Sequence, residues 1–132
     1  MRSTQNDDLK LRLPARSVAL AEVRAQLAAF LDAHAIKDEV FSDALLVGHE
    51  LAANAIAHGS SDDDLIDVRA EIRDGRLRIS VADAARRPGT PVMLSPDEWR
   101  ERGRGLQIVE RLAEWSERIV GGRREVRAEL PL

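Results

Sequence analysis

Hydrophobic and polar positions alternate in several stretches of the chain, and this period of two predicts half-buried β-strands. The first stretch is LKLRL, which begins at Leu9 and is stopped by Pro14. LIDVRAEIR and RLRISVAD then flank Asp74-Gly75, a dipeptide that suits the positive φ angles of a tight hairpin turn. SERIV and RREVRAEL flank Gly121-Gly122 in the same way. The pattern therefore predicts one single strand and two hairpins.

Apolar residues recur at helical spacing in three other stretches. The first predicted helix runs from Ala15 to about His34, and the second runs from Asp38, a good N-cap, to Gly59, a good helix stop. A third follows the tripeptide GRG, from about Leu106 to Trp115. Residues 84–104 hold three of the five prolines, so we expect most of this span to be an irregular loop.

The order of these elements predicts an α+β fold. We expect a two-layer sandwich in which three helices cover one face of a mixed, mostly antiparallel sheet. A length of 132 residues is typical of one domain. We therefore expect a single domain over residues 1–132, with about residues 1–8 flexible.

Composition and charge narrow the range of functions. The chain is 44% hydrophobic and 33% charged, has few aromatic residues, and has a formal net charge of -3. This balance gives no electrostatic reason to expect direct binding to nucleic acid or to an anionic membrane. The absence of cysteine excludes disulfides and thiolate chemistry. No apolar run approaches the roughly 20 residues of a membrane span, and no secretion signal is visible, so we expect a cytoplasmic protein.

The second predicted helix contains HELAANAIAHG, which sets Glu50, Asn54 and His58 at four-residue intervals among alanines. With Phe41 at 0° and about 100° per residue, the apolar stripe centres on Phe41, and the three polar residues fall near 180°, 220° and 260°. Small residues on that face allow a ligand to approach the backbone. The alternative is an ordinary exposed face, since alanine is the best helix former. A zinc-protease pattern H-E-x-x-H starting at His49 is excluded, because its second histidine would be residue 53, which is Ala53.

Two further segments carry candidate chemistry. Asp83 lies at the end of the strand RLRISVAD, beside the predicted loop. Gly103 and Gly105 come immediately before the third helix, where backbone N–H groups and the helix dipole favour an anion. Arg104 and its neighbouring arginines have the charge to neutralise phosphates. A G-x-G by itself is also typical of a plain loop-to-helix turn.

In this order, Glu50 and Asn54, then Asp83, then GRGL at residues 103–106 resemble the Bergerat-type (GHKL) ATP-binding fold. The resemblance is closest to the small anti-sigma factors that are serine kinases, and it extends over nearly the whole chain. Its most specific part is E-L-x-x-N-A-x-x-H from Glu50, joined to G-R-G-L-x-I-V downstream. In that family the helix and the glycine-rich segment face each other across ATP.

The resemblance assigns a role to each candidate residue. It implies that Asn54 is the ligand of Mg²⁺, that Glu50 is the general base, and that Asp83 accepts a hydrogen bond from the adenine amino group. The other residues of the expected ATP site are His58, Gly103, Arg104, Gly105 and Leu106.

The function implied by this resemblance is that of an anti-sigma regulatory factor. Such a factor phosphorylates a serine of an anti-sigma-factor antagonist of the STAS type, and holds a sigma factor when the antagonist is absent. The family also implies a possible homodimer through the first strand and first helix.

Two positions depart from the family's pattern, Ala85 for a frequent glycine and Glu125 for a common threonine near the last strand. These departures favour an alternative: a partner-switching module without phosphate transfer. A scaffold that retains only the fold is a third possibility.

Overall fold

The computed structural model describes residues 8–58, 64–84 and 107–132. Its strands are β1 (Asp8–Pro14), β2 (Leu65–Arg73), β3 (Arg76–Ala84), β4 (Glu114–Val120) and β5 (Arg123–Pro131), and its helices are α1 (Ala19–Ala33) and α2 (Asp38–His58). Residues 107–112 are also helical. The predicted loop at 84–104 lies almost wholly outside the described residues.

The five strands form one sheet in the order β1-β2-β3-β5-β4. Every pairing between these described strands is antiparallel, which confirms the α+β fold class and replaces the expected mixture of directions with a uniform one. β3 is the central strand, and α2 packs against it more closely than against any other described strand. α1 packs against α2 and β1.

Both hairpins form as predicted. Asp74 and Gly75 connect β2 to β3 with φ angles of 54° and 72°, and Gly121 and Gly122 connect β4 to β5 with φ angles of 57° and 77°. Positive φ at both central positions gives a turn whose twist matches that of antiparallel strands. The two turns therefore fix the registers β2–β3 and β4–β5, and with them the face on which each side chain lies.

The helix limits differ from the prediction at two points. α1 begins at Ala19, not Ala15, because the Ala15 N–H donates to the Asp64 carbonyl oxygen at 2.9 Å and ties this residue to the start of β2. Within the described residues the third helix ends at 112, and Trp115, expected in that helix, lies in β4 opposite Ala128. Trp115 packs against the core from the sheet, so strand pairing decides its conformation. Gly59, the expected stop of α2, lies outside the described residues.

The two faces of the sheet have different chemistry. Alternate residues of β2, β3 and β5 are buried towards the helices, among them Val68, Ile79 and Ala128. The residues between them form the outer face, where acidic and basic side chains pair across strands. Examples are Arg12 with Asp67 at 2.7 Å and Arg78 with Glu71 at 3.0 Å.

Candidate functional site

Asn54 is a buried amide near the end of α2. Its side chain is only 7% exposed, and its Nδ2 has no hydrogen-bond partner among the described residues. Glu50 lies one turn earlier and is half-buried. His58 is the last residue of α2, and its side chain lies outside the description. A buried amide donor without a partner costs about 1–3 kcal/mol. The position of Asn54 is therefore typical of a residue that meets a ligand.

The buried arc of α2 differs from the predicted apolar stripe. Val47 is fully buried and Asn54 nearly so, whereas Phe41 and Leu45 are only half-buried. On the helical wheel the buried arc is turned by roughly 60° from the position expected from Phe41. The physical reason is that α2 packs against both α1 and the sheet. The expectation that Asn54 lies on an open face of small residues is wrong.

Asp83 is the second buried polar residue on the helix side of the sheet. It is 3% exposed, and it follows Leu77, Ile79 and Val81 in the alternation that faces the helices. Asn54 and Asp83 therefore lie on two elements that pack together, α2 and β3, and the Asn54 Nδ2 has no partner among the described residues.

Arg124 is the charged residue that sequence reasoning missed. It lies directly opposite Asp83 in the β3–β5 register, and its Nε is 3.5 Å from Glu117 Oε1 on β4. The departure noted at Glu125 concerns the other face. Glu125 lies opposite Ala82 and pairs with Arg118 at 2.9 Å. The sequence could have placed Arg124 on the helix side. Residues two apart on a strand share a face, and Arg124 continues the alternation of Val126, Ala128 and Leu130.

The environment of Asp83 makes its carboxyl harder to ionise than that of an ordinary aspartate. Burial raises the pKa of Asp83 to about 6, because a charged carboxylate loses its hydration there. The positive charges of Arg124 and Arg123 act in the opposite direction, and the negative charges of Glu117 and Asp64 add to the rise. A carboxyl with so high a pKa is more frequent in functional sites than in ordinary surfaces.

The remaining predicted site residues cannot be placed. The described residues do not include the glycine-rich segment Gly103, Arg104, Gly105 and Leu106, nor Ala85. Within the described ranges, no group of three or more His, Cys, Asp or Glu side chains is arranged to hold a metal ion. The described part thus offers single oxygen ligands and not a preformed metal site.

The family model described as a histidine kinase-like ATPase domain matches residues 13–129. The chain belongs to this family. This result confirms the superfamily recognised from the Glu50, Asn54, Asp83 and GRGL pattern. ATP is the nucleotide that a histidine kinase-like ATPase domain implies. A comparison with curated proteins found no match.

Several solved structures have the same fold. The RsbU and RsbW domains of Rv1364c from Mycobacterium tuberculosis match with a TM-score of 0.73 and 26% identity, over 95% of this chain and 32% of that one. The SiaB-SiaC complex from Pseudomonas aeruginosa matches with a TM-score of 0.70 and 17% identity, over 92% and 88%. The chain thus spans about a third of the Rv1364c structure. A histidine kinase domain from Erythrobacter litoralis also matches, with a TM-score of 0.51 and 22% identity, over 83% and 61%.

Within the described part of this histidine kinase-like domain, neither α1 nor α2 has the length and apolar character needed to cross a bilayer.

Proposed function

We propose that this histidine kinase-like domain is an anti-sigma regulatory factor that binds ATP with Mg²⁺ and phosphorylates a serine of an anti-sigma-factor antagonist. The observation that carries the proposal is the pair of buried polar side chains, Asn54 on α2 and Asp83 on β3, on elements that pack together. The Asn54 Nδ2 is unpaired within the described structure, the Asp83 carboxyl is buried, and each side chain has the chemistry expected of its role in an ATP site.

The donor set fits a magnesium ion that is bound mainly through phosphate oxygens and water. Mg²⁺ prefers oxygen ligands and often takes only one or two from the protein. The Asn54 Oδ1 is such a ligand, and the unpaired Nδ2 of the same amide is then able to donate to a phosphate oxygen. When bound, Mg²⁺ neutralises charge on the phosphates. His58 and the segment Gly103, Arg104, Gly105 and Leu106 complete the proposed site.

Asp83 selects adenine in this proposal. Its carboxylate accepts a hydrogen bond from the adenine amino group, whereas guanine presents a carbonyl oxygen at the equivalent position. Two acceptors repel each other, so the same carboxylate favours ATP and disfavours GTP.

Glu50 is the proposed general base. It takes the proton of the antagonist's serine hydroxyl while the γ-phosphoryl group passes from ATP to the serine oxygen, and ADP leaves. Glu50 is one helical turn, about 6 Å along the axis, from Asn54. Its half-buried position supports access to an incoming side chain.

The proposed partners follow from the named neighbours as well as from the motif. One neighbour joins an RsbW domain to an RsbU domain, and another is a complex of SiaB with SiaC. By analogy we propose a STAS-type antagonist as the phosphorylated partner, a sigma factor as the protein held when the antagonist is absent, and a homodimer as the working form. We propose the cytoplasm as its location.

The decisive experiment compares Glu50→Gln with the wild type. The chain is mixed with labelled ATP, Mg²⁺ and STAS-type antagonists encoded near its own gene. ATP affinity measured by calorimetry should be retained in Glu50→Gln, and phosphorylation of the antagonist should fall by about 10²-fold or more. Glu39→Gln, which changes an exposed carboxylate in the first turn of the same helix, should transfer phosphate normally.

The second candidate function is a partner-switching module that binds without phosphate transfer. Ala85, in place of the family's frequent glycine, favours it. A wild type that binds ATP and engages an antagonist, yet never phosphorylates it, would establish this alternative. A Glu50→Gln variant with the normal rate of transfer would place the base elsewhere. The concern raised by Glu125 no longer favours the alternative, because this residue lies on the outer face.

A further inference from the structure

We propose that Arg124 is a positioning residue that keeps Asp83 in its charged form, ready to accept a hydrogen bond, and that Glu117 limits this effect. The proposal rests on the proposed ATP site, and it adds to that site a residue outside the recognised motifs. It concerns three side chains on adjacent strands: Asp83 on β3, Arg124 on β5 and Glu117 on β4.

The sheet register brings the first two side chains together. Asp83 and Arg124 are direct partners in the antiparallel β3–β5 pair, and both lie on the face towards the helices. Directly opposite residues of such a pair have Cβ atoms about 4.5–5.5 Å apart. The Arg124 side chain is 11% exposed, so its charge is largely shielded from water.

The Arg124 guanidinium forms an ion pair with Glu117 that leaves part of its hydrogen-bonding capacity unused. Its Nε is buried and has no hydrogen-bond partner within the described structure. The Glu117 carboxylate lies 3.5 Å from that atom, close enough for an ion pair, but Glu117 is 43% exposed and so partly hydrated. The guanidinium charge is therefore available to Asp83 as well as to Glu117.

The balance of charges around Asp83 decides whether it is ionised at neutral pH. Burial raises its pKa to about 6, Arg124 and then Arg123 oppose the rise, and Glu117 and Asp64 increase it. α2 also packs against β3, and the titratable residues in its second half are His49, Glu50 and His58. Those three residues are unchanged in the variants below. Differences in the Asp83 midpoint between the variants therefore arise from the charges on the strands.

Loss of the Arg124 charge should impair adenine binding in a pH-dependent way. A protonated carboxyl keeps a carbonyl oxygen as acceptor, but its hydrogen bond with the adenine amino group is weaker than the one that a charged carboxylate accepts. ATP affinity should therefore follow the ionised fraction of Asp83. A side chain that merely contacted ATP, or merely stabilised β5, would change affinity by a similar factor at every pH.

The test titrates the Asp83 carboxyl by ¹³C NMR in the full chain without nucleotide, and assigns its signal with Asp83→Asn. Arg124→Met should move the midpoint upward by about one pH unit, whereas Arg124→Lys should stay near the wild type. Glu117→Gln should move the midpoint downward. Arg127→Met removes an ion pair on the outer face of the same strand and should leave the midpoint unchanged.

Calorimetry with ATP then measures the effect on binding. Arg124→Met should weaken ATP binding by about fivefold at pH 6 and by less than twofold at pH 8. An unchanged Asp83 midpoint in Arg124→Met, or an equal loss of affinity at both pH values, would overturn the positioning role. A wild type that binds no ATP would refute the proposed function instead, and the NMR titration would still decide the role of Arg124. If Arg124→Met does not fold, Arg124→Gln, which also removes the charge, takes its place in both measurements.

Discussion

Asn54 and Asp83 each lower the stability of the nucleotide-free fold, since burial removes water from the unpaired Nδ2 of Asn54 and from the Asp83 carboxyl, whose pKa it raises to about 6. Strained or unsatisfied groups of this kind persist in functional sites because a ligand completes them. Removing either polar group should therefore impair binding while it leaves the fold intact or more stable. The opposite result is expected of a buried polar group that has a purely structural role.

Asn54→Ala should abolish Mg²⁺-dependent ATP binding and change the free energy of unfolding by less than about 1 kcal/mol. The small change is expected because the Nδ2 makes no hydrogen bond that the variant would lose. Calorimetry measures the binding, and urea unfolding measures the stability. Ser80→Ala is the matched control, since Ser80 is a buried polar residue on the opposite face of β3, and its ATP affinity should be normal. Unchanged affinity in Asn54→Ala would refute the assigned ligand.

Asp83→Asn should stabilise the nucleotide-free protein above pH 6. The pKa of Asp83 is raised to about 6 in the folded chain, so between about pH 4 and 6 the folded state binds more protons than the unfolded state. The free energy of unfolding therefore falls by up to about 3 kcal/mol as the pH rises through this window. An asparagine at position 83 does not ionise, so the variant does not lose this free energy.

Urea unfolding of wild type and Asp83→Asn at pH 4.5 and pH 7.5 measures this difference. We expect the variant to gain about 1–3 kcal/mol at pH 7.5 and less at pH 4.5. Asp67→Asn provides the control, because the Asp67 carboxylate pairs with Arg12 at 2.7 Å and its removal should give no gain. A variant that is less stable than the wild type at pH 7.5 would contradict the conclusion that burial of the ionised Asp83 carboxylate lowers the stability of the fold.

At the scale of elements, Gly48 sets the close approach of α2 to α1. A Cβ added at Gly48 would lie 2.5 Å from Leu27 Cδ2, and Leu27 is almost wholly buried, so it has little room to move. Gly48→Ala gains about 1 kcal/mol of helix propensity but incurs about 1–3 kcal/mol from overpacking. We expect a net loss of about 1 kcal/mol in the free energy of unfolding.

A second variant tests the cause of that loss. Leu27→Val removes the methyl group that the new Cβ would meet, so Gly48→Ala should become neutral or stabilising in the Leu27→Val background. A double-mutant cycle by urea unfolding measures this coupling. The same loss from Gly48→Ala in both backgrounds would show that the helix contact is not its origin.

The sequence predicted those elements whose signals are local. Both hairpins follow from two-residue turns with positive φ, and α2 starts at Asp38, where the sequence predicted it. The face of α2 that is buried could not be read from its apolar residues, because α1 and the sheet together bury an arc that is turned towards Asn54. Trp115 was misplaced for a related reason: a short apolar pattern fits both a helix and a strand, and pairing with β5 decides it.

The candidate site was predicted unevenly. Asp83 was located correctly at the end of a strand, since the strand pattern and the following loop are both visible in the sequence. Glu125 was noted as a departure from the family's threonine, whereas Arg124, which the register places opposite Asp83, was not identified. Glu125 stands at a position where the family commonly has threonine. The register of the sheet shows that this position lies on the outer face of β5. Roles at Glu50, Asn54 and His58 stay predictions.

At the scale of the whole molecule, the outer face of the sheet carries pairs of opposite charge along every strand. Arg69 contacts Asp8 and Glu71, and Arg78 contacts Glu71 and Glu129, so that the pairs form a continuous network across three strands and onto β5. Exposed ion pairs each contribute only about 0–1 kcal/mol. Their main consequence is that this face stays hydrated, and apolar contact between subunits has to use another surface.

The proposed homodimer is expected to use the side of the molecule formed by β1 and α1. β1 is an edge strand, and Val18, the residue immediately before α1, is 70% exposed. Val18→Arg should therefore convert the dimer to a monomer in light scattering at tens of micromolar, roughly the range of ordinary dimer affinities. Ile119→Arg is the matched control: Ile119 is 63% exposed on β4, the opposite edge strand, and this variant should remain dimeric. A monomeric wild type at that concentration would exclude the dimer, and loss of the dimer only in Ile119→Arg would move the subunit contact to the β4 edge.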